Sequence, residues 1–222
     1  MSPEFTVSAR HLGIASASSV FVLVAAYAVT LVIGFLSLQA PGQPIGDPMF
    51  TILEILIILL MPAMVALMAA IHAWSPANTK ALALVAVVFM SLLAVVTCAV
   101  HFAILTLSRQ ASFAGEPWSS LVLAFKWPSV VYALDILGWD FFFPLAMLFA
   151  APAFGGSRLA LSIRVLMIVS GLLSLAGLVG AATGDMNVRN IGVVGYVGVF
   201  LVVAALLVAF FQRAASTRAA SA

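Results

Sequence analysis

The sequence predicts an all-α, polytopic membrane protein. It reads as a bundle of six transmembrane helices with both termini cytoplasmic and a short interfacial segment before the fourth. Three observations carry this expectation. Hydrophobic residues make up 65% of the 222 positions and charged residues only 7%, whereas a soluble domain carries about 25% charged. Mean hydropathy is +1.26. The apolar residues fall into six runs, each with the roughly 20 residues a helix needs to cross the hydrocarbon core.

The runs are 12–38, 49–74, 81–107, 129–154, 159–182 and 191–211. The first is far longer than the roughly 7–15 apolar residues of a signal peptide, and Pro41 and Pro44 follow it, so it reads as an uncleaved span. Gln39 to Pro44 form a loop, with Asp47 as cap and Pro48 at the first helical position of the second span. Ser75 to Thr79 make a short turn in which Asn78 or Thr79 caps the third span. The stretch 109–128 is different. Its apolar piece, 121–127, is too short to cross, and Trp118 and Trp127 suit headgroup depth. The fifth and sixth spans read as a tight hairpin joined at Asp185. Ser170, Ser174, Gly177 and Ala181 on one side meet Gly192, Gly195 and Gly198 on the other, because small faces let backbones approach closely in lipid. Such faces could equally serve a homo-oligomer. The single domain is 1–211, and the polar, basic segment 212–222 reads as a disordered cytoplasmic tail.

Basic residues set the orientation. Arg10, Lys80, Arg158, Arg164, Arg213 and Arg218 fall on one side, and Arg109, Lys126 and Arg189 on the other. The richer side is expected to be cytoplasmic, with Trp74 at the inner interface. A plasma (inner) membrane, from the Ala/Val/Leu richness a bacterial one, is the expected location. The net charge of +2 without a basic run argues against nucleic acid as a partner. Cys98 is the only cysteine, which excludes an intrachain disulfide, and it reads as a small buried hydrophobe.

Against this background four ionisable residues stand out, since a charge in hydrocarbon is costly. Glu54, His101 and Asp135 fall in the outer half of their spans and Asp140 near the middle, so groups from different helices share one depth band. Tyr132, Asp135 and Trp139 lie on one helical face. Asp140, five residues from Asp135, is rotated well off that face of a regular helix. With no base nearby in sequence, it is expected to be neutral, solvated or partnered across the bundle. Pro144 removes the amide that would bond the Asp140 carbonyl, and a kink is expected there. Arg189 is placed in the outer turn, with Tyr196 in the outer half of the last span and Lys126 at the outer mouth.

These residues suggest acid–base chemistry in a pocket open to the outer leaflet. A buried carboxyl can stay protonated near neutrality beside an ionised one, which makes an acid–base pair. The catalytic candidates are Glu54, Asp135, His101 and Asp140. Tyr132, Trp139, Phe142, Tyr196, Lys126 and Arg189 are candidates for binding a lipophilic small molecule. The reaction class that fits is an isomerase or cyclase. The alternatives are a proton-coupled transporter or channel subunit, and a non-catalytic subunit in which the charges merely pair. No cofactor is expected: a haem site from His11 and His72 is disfavoured, and no metal motif such as HExxH occurs. No nucleophile elbow, phosphate loop or dinucleotide fingerprint occurs either.

Overall fold

The structure is a computed structural model and describes residues 5–40, 43–113 and 115–215. Pro41 and Gly42 of the first loop, and Arg218 with the rest of 216–222, lie outside the described residues. The described residues form seven helices: α1 (Val7–Leu36), α2 (Met49–Trp74), α3 (Lys80–Thr106), α4 (Ser119–Leu123), α5 (Val130–Ala153), α6 (Arg158–Thr183) and α7 (Met186–Arg213). All but α4 are long and apolar enough to cross a membrane. Each spanning helix is explained by its apolar run, but two begin about five residues before theirs. α1 begins at Val7 rather than Leu12, and α7 at Met186 rather than Ile191. Polar first turns are satisfied by caps: the side chains of Thr6, Ser129, Ser157 and Asp185 each accept a backbone N–H of the helix that follows. Gly184, at φ 75°, closes α6 in the left-handed conformation. Asp47 does act at the start of α2, but from one position further out. Pro48 occupies the cap position, and Asp47 Oδ1 accepts the Thr51 amide at 3.1 Å.

The six long helices pack as a ring in chain order. α1 lies against α2, α2 against α3, α3 against α5, α5 against α6 and α6 against α7, and α7 returns to α1. Arg10 fastens that closure by donating from Nε to the Phe211 carbonyl at 3.1 Å and from Nη2 to the Gln212 carbonyl at 2.5 Å. These bonds place the start of α1 beside the end of α7, so both termini share one end of the bundle. In the half nearer that end the middle of the ring is filled by Met64, Leu67, Met68, Met147, Phe154, Phe200 and Phe211, all essentially without exposure. Short α4 joins a second apolar cluster, in which Leu123 packs with Val100, Ile104 and Val131.

The expected α6–α7 seam is present, with its register adjusted. Ser170 Oγ donates to the Gly195 carbonyl at 2.9 Å. Gly180 rather than Ala181 occupies the end of the seam, and Gly198 lies outside it. A Cβ on Gly195 would stand 2.7 Å from the Ser170 carbonyl oxygen, whereas one on Gly198 would meet nothing closer than 3.9 Å. Two turns of π-helix interrupt the ring, at Leu137–Phe142 in α5 and Val194–Val199 in α7. In the first, Phe143 N–H bonds the Gly138 carbonyl five residues back, just before Pro144, which has no amide to offer. The kink expected from Pro144 is therefore expressed as a re-registered ladder. Overpacking at a backbone contact costs about 1–3 kcal/mol. Gly195→Ala should lower the unfolding temperature of the detergent-solubilised protein clearly, and Gly198→Ala should leave it within error.

Candidate functional site

Five ionisable groups from four helices meet away from the termini-bearing end and form a continuous chain. Glu54 of α2 and His101 of α3 share a hydrogen bond between Oε2 and Nδ1 at 2.7 Å. The other ring nitrogen of His101 lies 3.4 Å from Asp135 Oδ1 of α5. Asp135 Oδ2 accepts from Arg189 Nη2 of α7 at 3.1 Å, and Arg189 Nε donates to Asp140 Oδ2 at 3.1 Å. Every member is buried, and Arg189 is the most exposed at 6%. A guanidinium suits this position because its planar fork can serve two carboxylates at once. Its third nitrogen reaches the Tyr132 hydroxyl at 3.4 Å, and its carbon sits 5.2 and 5.8 Å from the ring centres of Tyr132 and Tyr196.

Two placements differ from the sequence expectation. Arg189 is not a residue of the outer turn: α7 begins at Met186, and the side chain of Arg189 turns into the bundle. Asp140 is partnered across the bundle by that same arginine, one of the expected alternatives, and what differs is the direction it faces relative to Asp135. The regular-helix argument that separates Asp135 from Asp140 fails because the π-turn lies between them. Its wider spacing brings residues five apart toward a common face, so both reach one guanidinium. Asp140 Oδ1 has no hydrogen-bond partner among the described residues. It lies in a recess floored by Gly177 and Gly192, where a Cβ at either glycine would collide with it.

A cavity of about 670 Å³ opens beside this chain. Glu54, Asp135 and Arg189 form its polar wall, with Tyr27, Tyr132, Trp139 and Tyr196. Aliphatic residues of α1, α2 and α7, with Phe35, Phe50 and Phe125, form most of the remainder. Its lining includes Phe35 of α1 and Val194 of α7, which are 58% and 57% exposed on the lipid-facing surface. The cavity therefore opens sideways between α1 and α7. Gln43, Pro44 and Ile45 border its mouth. Ile45 fits against Gly34, where a Cβ would come within 2.8 Å. The far side of that loop is tied by Asp47, which bonds the Thr51 hydroxyl, and by Arg109, which donates to Thr51 Oγ1 at 2.6 Å. The Thr51 hydroxyl, followed by Arg109, holds the Asp47 carboxyl below the usual carboxylate range.

Of the ten residues singled out from sequence, six border the cavity: Glu54, Asp135, Tyr132, Trp139, Tyr196 and Arg189. His101 and Asp140 are joined to that wall but set behind it. Phe142 stacks on Phe89 at 6.4 Å, away from the cavity, and Lys126 is exposed in the loop before α5 and makes no ion pair among the described residues. Sequence reasoning misses Tyr27. Its signal is legible: a lone tyrosine in mid-span, sharing a face with Val24 and Leu31 at helical spacing, where tyrosines of the interfacial belt do not belong. Among the described residues no three His, Cys, Asp or Glu side chains are grouped to hold a metal ion.

The fold and the site thus define a helical bundle of the multi-pass membrane class, with six helices long and apolar enough to span and an ion-paired chain beside a cavity. Comparison with protein-family models, with curated proteins and with solved structures finds no match. Removing one partner of a buried ion pair typically costs about 3–5 kcal/mol. Arg189→Gln should therefore lower resistance to thermal unfolding by a large margin, while Lys126→Gln leaves it unchanged.

Proposed function

We propose that the protein carries out acid–base chemistry on a lipophilic small molecule taken from the membrane, by isomerisation or cyclisation. The observation that supports this is the sideways-opening cavity with Glu54 and Asp135 in its wall and His101 bridging the two carboxyls from behind. Such chemistry needs an acid, a base and a dry, shaped cavity. Glu54 and Asp135 are the catalytic residues in this reading, because they touch the space a substrate would fill. His101 is a positioning residue that fixes the protonation of each carboxyl through the other. Asp140 holds Arg189, and Arg189 in turn fixes Asp135 and Tyr132 in the wall that the substrate meets. The cavity lies in the outer half of a plasma membrane, following the basic-residue bias.

Two alternatives have less support. A proton-coupled carrier needs a polar path through the full depth, and the half nearer the termini is packed with methionine and phenylalanine. A purely structural set of ion pairs has no use for a cavity of this size, or for three carboxyls facing two bases.

The reaction can be tested while the substrate is still unidentified. Membrane extracts from cells making wild-type protein, Glu54→Gln or Asp135→Asn are compared for a pair of isomers of equal mass. The wild type should shift the isomer ratio, and each variant should slow that conversion by about 10²-fold or more. Conversion at the wild-type rate in both folded variants would remove the acid–base reading. Orientation has its own check. In a Cys98→Ser background, Gln43→Cys should react with an impermeant maleimide applied to intact cells, and Ser157→Cys should not.

A further inference from the structure

The charges of the site do not balance. Three carboxyls, Glu54, Asp135 and Asp140, share one guanidinium and one imidazole. Even with His101 protonated, one negative charge is left over when all three carboxyls are ionised. An uncompensated charge is costly in this environment, so the surplus must be met by a proton or by a cation.

Two carboxylate oxygens have no hydrogen bond among the described residues, Asp140 Oδ1 and Glu54 Oε1, and of these two residues only Glu54 borders the cavity. Asp135 spends one oxygen on His101 and the other on Arg189. Asp140 spends one on Arg189, and the glycine recess encloses the other. Glu54 spends Oε2 on His101, while its Oε1 has no hydrogen bond among the described residues, and Glu54 borders the cavity. Arg189 cannot serve an incoming anion well. Its charge is divided between two aspartates, and it already occupies the faces of Tyr132 and Tyr196. Tyr27 and Phe50 are aromatic residues that border the same space, and Arg189 lies over neither ring.

We infer that the cavity selects a lipophilic amine, whose ammonium group pairs with Glu54 Oε1 and whose apolar body extends between α1 and α7. This deepens the acid–base reading by naming a substrate class, and rests on it for the location of the site. The volume admits a body of roughly twenty non-hydrogen atoms, taking about 30 Å³ for each water-sized unit. When the ammonium arrives, the proton that neutralised the cluster passes to bulk water: one carboxyl O–H bond breaks, one O–H bond forms on water, and net charge is conserved. The groups facing Glu54 in this exchange are Tyr27 from α1, His101 from α3, Tyr132 and Asp135 from α5, and Arg189 and Tyr196 from α7.

The test uses the full-length protein in phosphatidylcholine nanodiscs, with empty nanodiscs correcting for partitioning. Three probes share one chain: farnesylamine, farnesol and farnesoate. Farnesylamine should bind at least tenfold more tightly than farnesol, and farnesoate more weakly than either. Calorimetry in buffers of different ionisation enthalpy should find about one proton released per amine bound, with affinity rising up to tenfold per pH unit where release is complete. Glu54→Gln should bring the amine-to-alcohol ratio close to one. Equal binding of amine and alcohol, preference for the carboxylate, or amine binding without proton release would overturn the inference. The proton count is measured on the wild type, so it decides the matter even if the variant fails to fold. Glu54-dependent isomer conversion without amine preference would overturn this inference and leave the acid–base reading standing. Amine preference without such conversion would do the reverse.

Discussion

The whole arrangement depends on one arginine fork of α7 held between two aspartates of α5, which it reaches across the bundle. Ionisable groups survive in a lipid-embedded bundle only when each finds a partner. Asp135 and Asp140 belong to α5, and their shared counter-charge comes from α7, which makes the register of those two helices an electrostatic matter as much as a packing one. The glycines of the seam answer to the same requirement. Gly177 and Gly192 leave the room that the Asp140 carboxyl occupies, so close backbone approach and charge pairing are solved at a single point.

The remainder of the site follows from that anchor. With Arg189 fixed, Asp135 is oriented to present its second oxygen to His101, and His101 in turn holds Glu54. The chain runs along the wall of a space that the ring of helices does not fill. Elsewhere the middle of the ring is occupied by methionine and phenylalanine side chains. The division between a sealed half and an open half places the polar chemistry near one membrane surface. It also leaves a cavity lined by residues of α1 and α7.

The spans are legible because hydrophobicity marks them directly, and the depth of Glu54, His101 and Asp135 follows from counting residues along helices. The ends are less legible. Hydrophobicity stops at Ile191, but the helix continues back to Met186 because the Asp185 cap satisfies its first amides. Reading the boundary from hydrophobicity alone moves Arg189 from the bundle to the turn and hides the partner of Asp140. A regular helix across 135–140 is the second false assumption. A π-turn leaves little trace in residue pattern, although Pro144 just beyond it gives a reason to expect some departure. Phe142 and Lys126 are drawn to the site only by proximity in sequence. Which side of a helix faces a cavity depends on how neighbouring helices are arranged, and one chain does not encode that openly.

Because the ring is laid down in chain order and closed by α7, the last helix completes the wall of the cavity and also delivers its strongest base. During synthesis Asp135 and Asp140 of α5 would reach the bilayer before Arg189 of α7 is available to them, so their shared pairing waits until α7 docks. The cavity is then complete only once α7 has docked against α6 and α1.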